Sequence, residues 1–244
     1  GVREDTGRNQ CWGDSSAANS SGYGVAFGAP SGLAYLDAAG LGQSGCALRT
    51  DGQISCWSTT PPPGTFMAID GYSSRFCGVY SDASEVTCWN FNGTSLPGRS
   101  GSFIDVAVNA SHACAIDSVS GFVSCWVTGM NDNLQIAALT PVGVAFTSIA
   151  LGSDHACGIR ALDGQLQCWG SAVPVVPQGV AYEQVTIAVQ FQAGCAIRAS
   201  TRTVDCWGAV GVPLTAPIGV AFDSISASGN SVCGVRSADG GVSC

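Results

Sequence analysis

Residues Cys157–Gly170 read Cys-Gly-Ile-Arg-Ala-Leu-Asp-Gly-Gln-Leu-Gln-Cys-Trp-Gly. The 244-residue chain repeats this stretch. Related copies run Cys46–Trp57, Cys77–Trp89, Cys114–Trp126 and Cys195–Gly208. A further copy, Cys233–Cys244, stops at its second cysteine, and Gly1–Gly13 starts one residue too late to show its first. The seven second cysteines, Cys11, Cys56, Cys88, Cys125, Cys168, Cys206 and Cys244, recur about every 39 residues. Repetition at this period is the mark of a solenoid or a propeller.

Each copy reads as a β-hairpin stapled at its open end. Asp51-Gly52, Asp163-Gly164 and Asp239-Gly240 supply the turn, with glycine at the position that needs positive φ. Folding Cys157 opposite Cys168 sets Ile159 against Leu166 and Ala156 against Trp169. The same register sets Leu48 against Ile54, Val79 against Val86, Ile116 against Val123, Ile197 against Val204 and Val235 against Val242. Strand alternation then places each cysteine pair and its aliphatic pair on one face, and the tryptophan on the other. Trp12, Trp57, Trp89, Trp126, Trp169 and Trp207 hold this place, which assigns them to packing between repeats. The residue opposite is small at Gly45, Ala113, Ala156 and Gly194, leaving room for an indole; Phe76 is the exception. Both faces are partly apolar, as in sheets stacked one against the next.

The hairpin register predicts the disulfides Cys46–Cys56, Cys77–Cys88, Cys114–Cys125, Cys157–Cys168, Cys195–Cys206 and Cys233–Cys244, with Cys11 unpaired within the chain. The rival use of cysteine is a metal site, which needs spacings of about two to four residues and usually histidine. That pattern is missing, so no metal is expected. Closing a loop of about eleven residues contributes roughly 2.5–3 kcal/mol on the chain-entropy account. Thirteen cysteines in paired positions point to an oxidising compartment, extracellular or secreted or at the cell surface.

A short strand precedes each hairpin: Tyr35–Ala39, Phe66–Asp70, Phe103–Ala107, Phe146–Ala150, Tyr182–Ile187 and Phe222–Ser226. An aromatic residue leads and an aliphatic one follows two or three places on. Gly-Val-Ala-Phe or Gly-Val-Ala-Tyr enters three of them, with Pro141, Pro177 and Pro217 just upstream. One repeat is therefore a short strand, a tight loop, a stapled hairpin and a variable return, three to four strands in all. The first repeat is the poorest hairpin, and Asp14–Pro30 is a Ser/Gly/Asn-rich connection. Asn19, Asn92 and Asn109 each open an N-glycosylation sequon. Thr59–Pro63 is a stiff proline loop.

The formal charge is −8, with nine Lys+Arg, all of them Arg. No basic groove for nucleic acid is expected. No membrane segment stands out in these residues. Catalytic motifs are missing as well. The two histidines, His112 and His155, both stand two residues before the first cysteine of their repeats. They read as structural or rim residues, with a ligand contact as the other reading. No nucleophile elbow, P-loop, EF-hand or carboxylate pair is present. The expectation is no catalytic residue, no cofactor and no enzyme.

The repeated Cys-Gly-Ile-Arg…Asp-Gly…Cys-Trp-Gly stretch resembles the crinkly-type repeats of plant receptor kinase ectodomains. More broadly it is similar to the regulator-of-chromosome-condensation-like propellers. The resemblance implies an all-β, seven-bladed β-propeller with a stapled hairpin in each blade, residues 1–244 forming a single domain whose first repeat is incomplete. The chain departs from the intracellular branch after Trp-Gly, where unrelated loops such as Ser171–Gln178 stand. The function expected is an extracellular recognition or adhesion propeller, receptor-ectodomain-like, binding a protein, peptide or glycan through its loop faces. Two alternatives stay open: a structural subunit of an extracellular filament, appendage or cell wall, assembling with copies of itself, and a secreted inhibitor.

Overall fold

A computed structural model describes residues 35–41, 44–57, 59–82, 84–129, 135–188, 193–208, 216–228 and 231–243. Cys11, Trp12, Asn19 and Cys244 lie outside them. Every regular element among the described residues is a β-strand, and the strands fall into two compact units, residues 1–110 and 111–244.

The first unit holds β1 (Tyr35–Leu41), β2 (Ser44–Arg49), β3 (Ile54–Trp57), β4 (Phe66–Tyr72), β5 (Arg75–Tyr80), β6 (Glu85–Asn90), β7 (Ser95–Ser100) and β8 (Phe103–Val108). β1-β2-β3 form one antiparallel sheet and β4-β5-β6-β7 another, and β8 runs beside β4. The second unit holds β9 (His112–Asp117), β10 (Val123–Val127), β11 (Phe146–Leu151), β12 (His155–Arg160), β13 (Leu166–Gly170), β14 (Tyr182–Ala188), β15 (Ala193–Arg198), β16 (Val204–Trp207), β17 (Phe222–Ser228), β18 (Ser231–Arg236) and β19 (Val242–Ser243). There β9 pairs with β10, and β11-β12-β13, β14-β15-β16 and β17-β18-β19 are antiparallel sheets. Only the sheet containing β7 has four strands among those described.

The hairpin register is the one the cysteines dictate. Cys157 faces Cys168, Ile159 faces Leu166 and Ala156 faces Trp169. The aliphatic pairs Leu48–Ile54, Val79–Val86, Ile116–Val123, Ile197–Val204 and Val235–Val242 also face one another. The disulfides Cys46–Cys56, Cys77–Cys88, Cys114–Cys125, Cys157–Cys168 and Cys195–Cys206 span Cα separations of 4.0–4.1 Å. Cys233 is disulfide-bonded too.

The two faces of each sheet do different jobs. The disulfide face of one sheet packs on the tryptophan face of the next. In the first unit Cys46, Leu48 and Ile54 meet Phe66, Ile69, Phe76 and Trp89. In the second, Cys157, Ile159 and Leu166 meet Tyr182, Val185, Ile187 and Trp207, and Cys195 with Ile197 meets Phe222 and Ile225. Trp126, Trp169 and Trp207 are buried like Trp89. The small residue opposite the indole is a steric requirement: a Cβ on Gly194 would lie 2.6 Å from the Trp207 ring. Phe76 solves the same problem by stacking on Trp89, with ring centroids 5.8 Å apart.

A second constraint comes from the leading aromatic. Phe146 lies across Gly158, where a Cβ would come within 2.5 Å of the ring. The residue after the first cysteine is small throughout: Gly78, Gly158 and Gly234, where a Cβ would meet the ring at 2.5–2.8 Å, and Ala47, Ala115 and Ala196.

Four of the hairpin turns also clasp the repeat that follows. Gly52 accepts a hydrogen bond from Phe66 N–H (2.6 Å), Gly121 from Phe146, Gly164 from Tyr182 and Arg202 from Phe222. Within a repeat, Ser81, Ala161, Ala199 and Ser237, just after the first hairpin strand, donate to Thr65, Ala145, Ala181 and Ala221, just before the entry strand. The clasping turn residue has positive φ in every case: +80° at Gly52, +70° at Gly121 and Gly164, and +58° at Arg202. The Asp of the turn holds the Arg that precedes it, as in Arg160–Asp163 and Arg236–Asp239. Where Thr201 stands in place of that Asp, Arg198 turns instead to Asp205 across the hairpin, at 2.7 and 2.9 Å.

Candidate functional site

The strand that enters each repeat is organised by one backbone irregularity. Tyr35 pairs with Arg49, but Asp37, not Leu36, pairs with Leu48. The extra residue is a β-bulge. It recurs after Phe66, Phe146, Tyr182 and Phe222. A bulge re-aims the side chain of the inserted residue. The inserted residues are Leu36, Met67, Thr147, Glu183 and Asp223, and Ile104 takes the same place after Phe103 in β8. Leu36, Met67, Ile104, Thr147 and Glu183 are all exposed. Met67, Ile104, Thr147 and Glu183 thus each stand on display next to a buried aromatic, Phe66, Phe103, Phe146 or Tyr182.

These strands lie side by side within each unit. β4 touches β1 and β8 in the first, and β14 touches β11 and β17 in the second. Side chains on the disulfide face knit them together. Asp70 Oδ2 accepts the Val108 N–H at 2.7 Å. At the equivalent place Thr186 Oγ1 accepts the Ala227 N–H at 2.9 Å, and Gln184 Oε1 the Ile225 N–H at 2.8 Å. Burial raises the Asp70 pKa to about 6; the Val108 and Gly71 N–H groups oppose this, and the charge of Asp37 adds to it.

The bulge residues of the two units have different surroundings. In the second, Arg202 reaches Glu183 (3.3 Å) and Asp223 (3.2 Å), and its guanidinium donates to the Phe222 and Asp223 carbonyls. In the first, the residues are aliphatic or thioether and stand in solvent. Neighbouring polar groups in the second unit are also tied. Burial raises the pKa of Asp205, but the Arg198 guanidinium and the Tyr182 hydroxyl, at 2.8 Å, outweigh it and hold the carboxyl below its usual range.

The residues singled out in sequence fall mainly outside this surface. His112 and His155 are 0% and 1% exposed, so both belong to the core and neither to a rim. His155 Nδ1 lies 2.9 Å from Asp154 Oδ1. Asn92 is exposed, in a turn where its side chain accepts from Thr94 N–H (3.1 Å) and Oγ1 (2.6 Å). Asn109 is 1% exposed, which leaves no room for a glycan on the folded chain. The proline loop is held by the Tyr80 hydroxyl, which donates to the Pro63 carbonyl at 3.3 Å. The described residues contain no group of three or more His, Cys, Asp or Glu placed to hold a metal ion, and no helix long and apolar enough to cross a membrane. The bulge residues were not singled out, although each sits directly after an aromatic that was.

Comparison with known proteins follows from this geometry. The family described as Regulator of chromosome condensation (RCC1) repeat matches residues 146–172, the β11-β12-β13 repeat. No curated protein matches the chain. Among solved structures, the CRINKLY WD40 ectodomain of the Arabidopsis thaliana receptor kinase ACR4 superposes with a TM-score of 0.72 at 24% identity, over 86% of this chain and 78% of that one. The fold is a β-propeller. The entire ectodomain of the Physcomitrella patens receptor kinase CR4 gives 0.73 at 24% identity, over 87% of this chain and 61% of that longer one. Yeast RCC1 (Prp20), in a structure with Kap60 bound, gives 0.59 at 12% identity, over 82% of this chain and 67% of that one. The resemblance read from the repeated cysteine stretch therefore holds for both the crinkly-type and the RCC1-type propellers.

Proposed function

We propose that this chain is an extracellular recognition domain, a seven-repeat propeller spanning residues 1–244 that binds a macromolecular ligand through the exposed ends of its sheets. The observation that carries this reading is the disulfide in each described hairpin. The five cysteine pairs are largely buried and span adjacent strands, a use of cysteine that belongs to oxidising compartments. Receptor kinase ectodomains of the same fold support it. The scaffold fixes the entry strands β4, β11, β14 and β17 with a buried aromatic, a clasp and a bulge, while the residue on display varies. Variable side chains on a rigid frame are what a binding surface needs.

Asn92 is the described sequon suited to carry a glycan in a eukaryotic host, since it is exposed at a turn tip. Expression through a secretory pathway, followed by mass spectrometry without reduction, tests the reading. The expected result is secretion of a chain whose hairpin cysteines are joined within each repeat. A chain that functions in the cytosol with free thiols would overturn it.

A further inference from the structure

The outer edge of β13 is open. Hydrogen bonds join β12 to β13 at Arg160–Gln165 and, beyond the far end, Asp154 to Ser171. Antiparallel pairs alternate, so Cys157–Cys168 and Ile159–Leu166 are pairs without such bonds. Leu166 and Cys168 therefore turn their N–H and C=O groups away from β12. Among the described residues nothing pairs with those four groups. The return that follows, residues 171–181, holds no strand. Pro174 and Pro177 deny it a regular ladder. Val176 folds instead onto the cluster of Cys157, Ile159 and Leu166.

The first unit shows the same edge filled. Val86 and Cys88 of β6 hold the places of Leu166 and Cys168, and β7 pairs with both, through Arg99 and Leu96. The effect is visible at the cysteine: Cys88 is 1% exposed, whereas Cys168 is half-buried. Close approach also sets the size of a residue in β7, since a Cβ on Gly98 would lie 2.4 Å from the Val86 carbonyl oxygen. Every residue of β7 except Leu96 is exposed, so the place beside β6 asks only for the width of one strand.

We infer that the outer edge of β13 receives an extended segment of another polypeptide, which joins β11-β12-β13 as a fourth strand. Main-chain hydrogen bonds to Leu166 and Cys168 supply the attachment. An apolar side chain opposite Cys168 closes over the disulfide, as Leu96 does opposite Cys88. β7 is the argument for this occupant: the repeat is built to accept a strand at this edge, and here the chain's own return lies elsewhere. A second copy pairing edge to edge would set a formal charge of −8 against its equal, and like net charge opposes association. The inference rests on the recognition reading above and deepens it, naming a strand-forming partner and the edge that binds it.

Amide hydrogen exchange, resolved residue by residue by NMR, tests it on the intact chain. In the free protein the Val86 and Cys88 amides should exchange at least about 10-fold more slowly than those of Leu166 and Cys168. Equal protection in dilute protein would show the edge already closed and overturn the inference. Protection that grows with concentration, alongside a dimer in sedimentation, would overturn it in favour of a second copy. Peptides selected from a displayed library of random dodecapeptides then stand in for the partner. At saturation they should slow the Leu166 and Cys168 amides at least about 10-fold and leave Gln167 and Trp169, already bonded to β12, unchanged. N-methylation of a bound peptide should weaken binding at least about 10-fold at alternate residues and little at those between, the period of a paired strand. Peptides that bind without slowing the two amides, or that tolerate N-methylation at every residue, would overturn the inference while leaving a recognition domain with its site elsewhere. A library that yields no binder would count against both readings.

Discussion

Strands β4 and β14 show how one backbone serves two surfaces. Each starts with a buried aromatic, Phe66 or Tyr182, and each bulges at the next residue. Each buries an aliphatic residue, Ile69 or Val185, and each offers a side chain, Asp70 or Thr186, to a backbone N–H of the strand beside it. The displayed residue is Met67 in one and Glu183 in the other. Positions that the packing dictates agree between the units, and the position that the packing leaves open does not. Identity at the open position is therefore information about what the surface meets.

The comparison breaks first if the shared positions are not equivalent. Phe66→Ala and Phe146→Ala each empty a site of 2% exposure, and each should cost about 3–5 kcal/mol in denaturant unfolding. A cost for one that is a small fraction of the other would show that the two units do not share a scaffold.

Asp70 and Thr186 should then diverge in sign. Asp70 in the folded chain keeps its proton up to about pH 6, where an ordinary Asp loses it near 3.8. Folding is favoured by the protonated form, so its contribution is complete below about pH 4 and is lost as pH rises through 6. Asp70→Asn keeps an acceptor for Val108 N–H without the charge. It should raise stability at pH 7 by about 1–3 kcal/mol and flatten the slope between pH 4 and 6. Thr186→Val leaves the Ala227 N–H without its acceptor and should cost about 1–2 kcal/mol at every pH. Thermal melts across pH check both.

Much of this frame was legible in the repeated cysteine stretch. The register of every described hairpin follows from setting cysteine opposite cysteine, because a side-chain period of two leaves no freedom once one pair is fixed. The indole's small partner followed from the same register. The bulge was not legible, since an inserted residue interrupts the alternation that makes strands readable. In an aromatic followed two or three places on by an aliphatic, the residue between has no face assigned by the pattern. That residue is the one put on display. His112 and His155 were legible as structural or rim residues but not as one rather than the other, for another reason. Their place before the first cysteine is Ser44, Arg75, Ala193 or Ser231 in other repeats, and that polar mix hid a site enclosed in these two.

The turns sharpen the comparison at smaller scale. Gly52→Ala adds a Cβ at φ +80°, 3.2 Å from Thr65 Cβ, and should cost about 1 kcal/mol. Arg202→Gly removes a side chain from φ +58° but also ends two partly exposed ion pairs. The gain and the loss are each about 0.5–1 kcal/mol, so stability should change by under about 0.5 kcal/mol. Smallest of all, Met67→Ser and Glu183→Ser should each shift unfolding by less than about 0.5 kcal/mol. A larger penalty at Met67 would make it part of the frame.

The clasp between a hairpin turn and the next aromatic has a consequence for cutting and rejoining the chain. Because Gly164 holds the Tyr182 N–H of the next repeat, the unit of cohesion is offset from the unit of sequence. New termini opened at an Asp-Gly tip would sever a stapled loop and its grip on the following sheet together. Termini opened in the stretch after Trp169-Gly170 would leave both untouched, and that is where lengthening, grafting or permutation of this protein should begin.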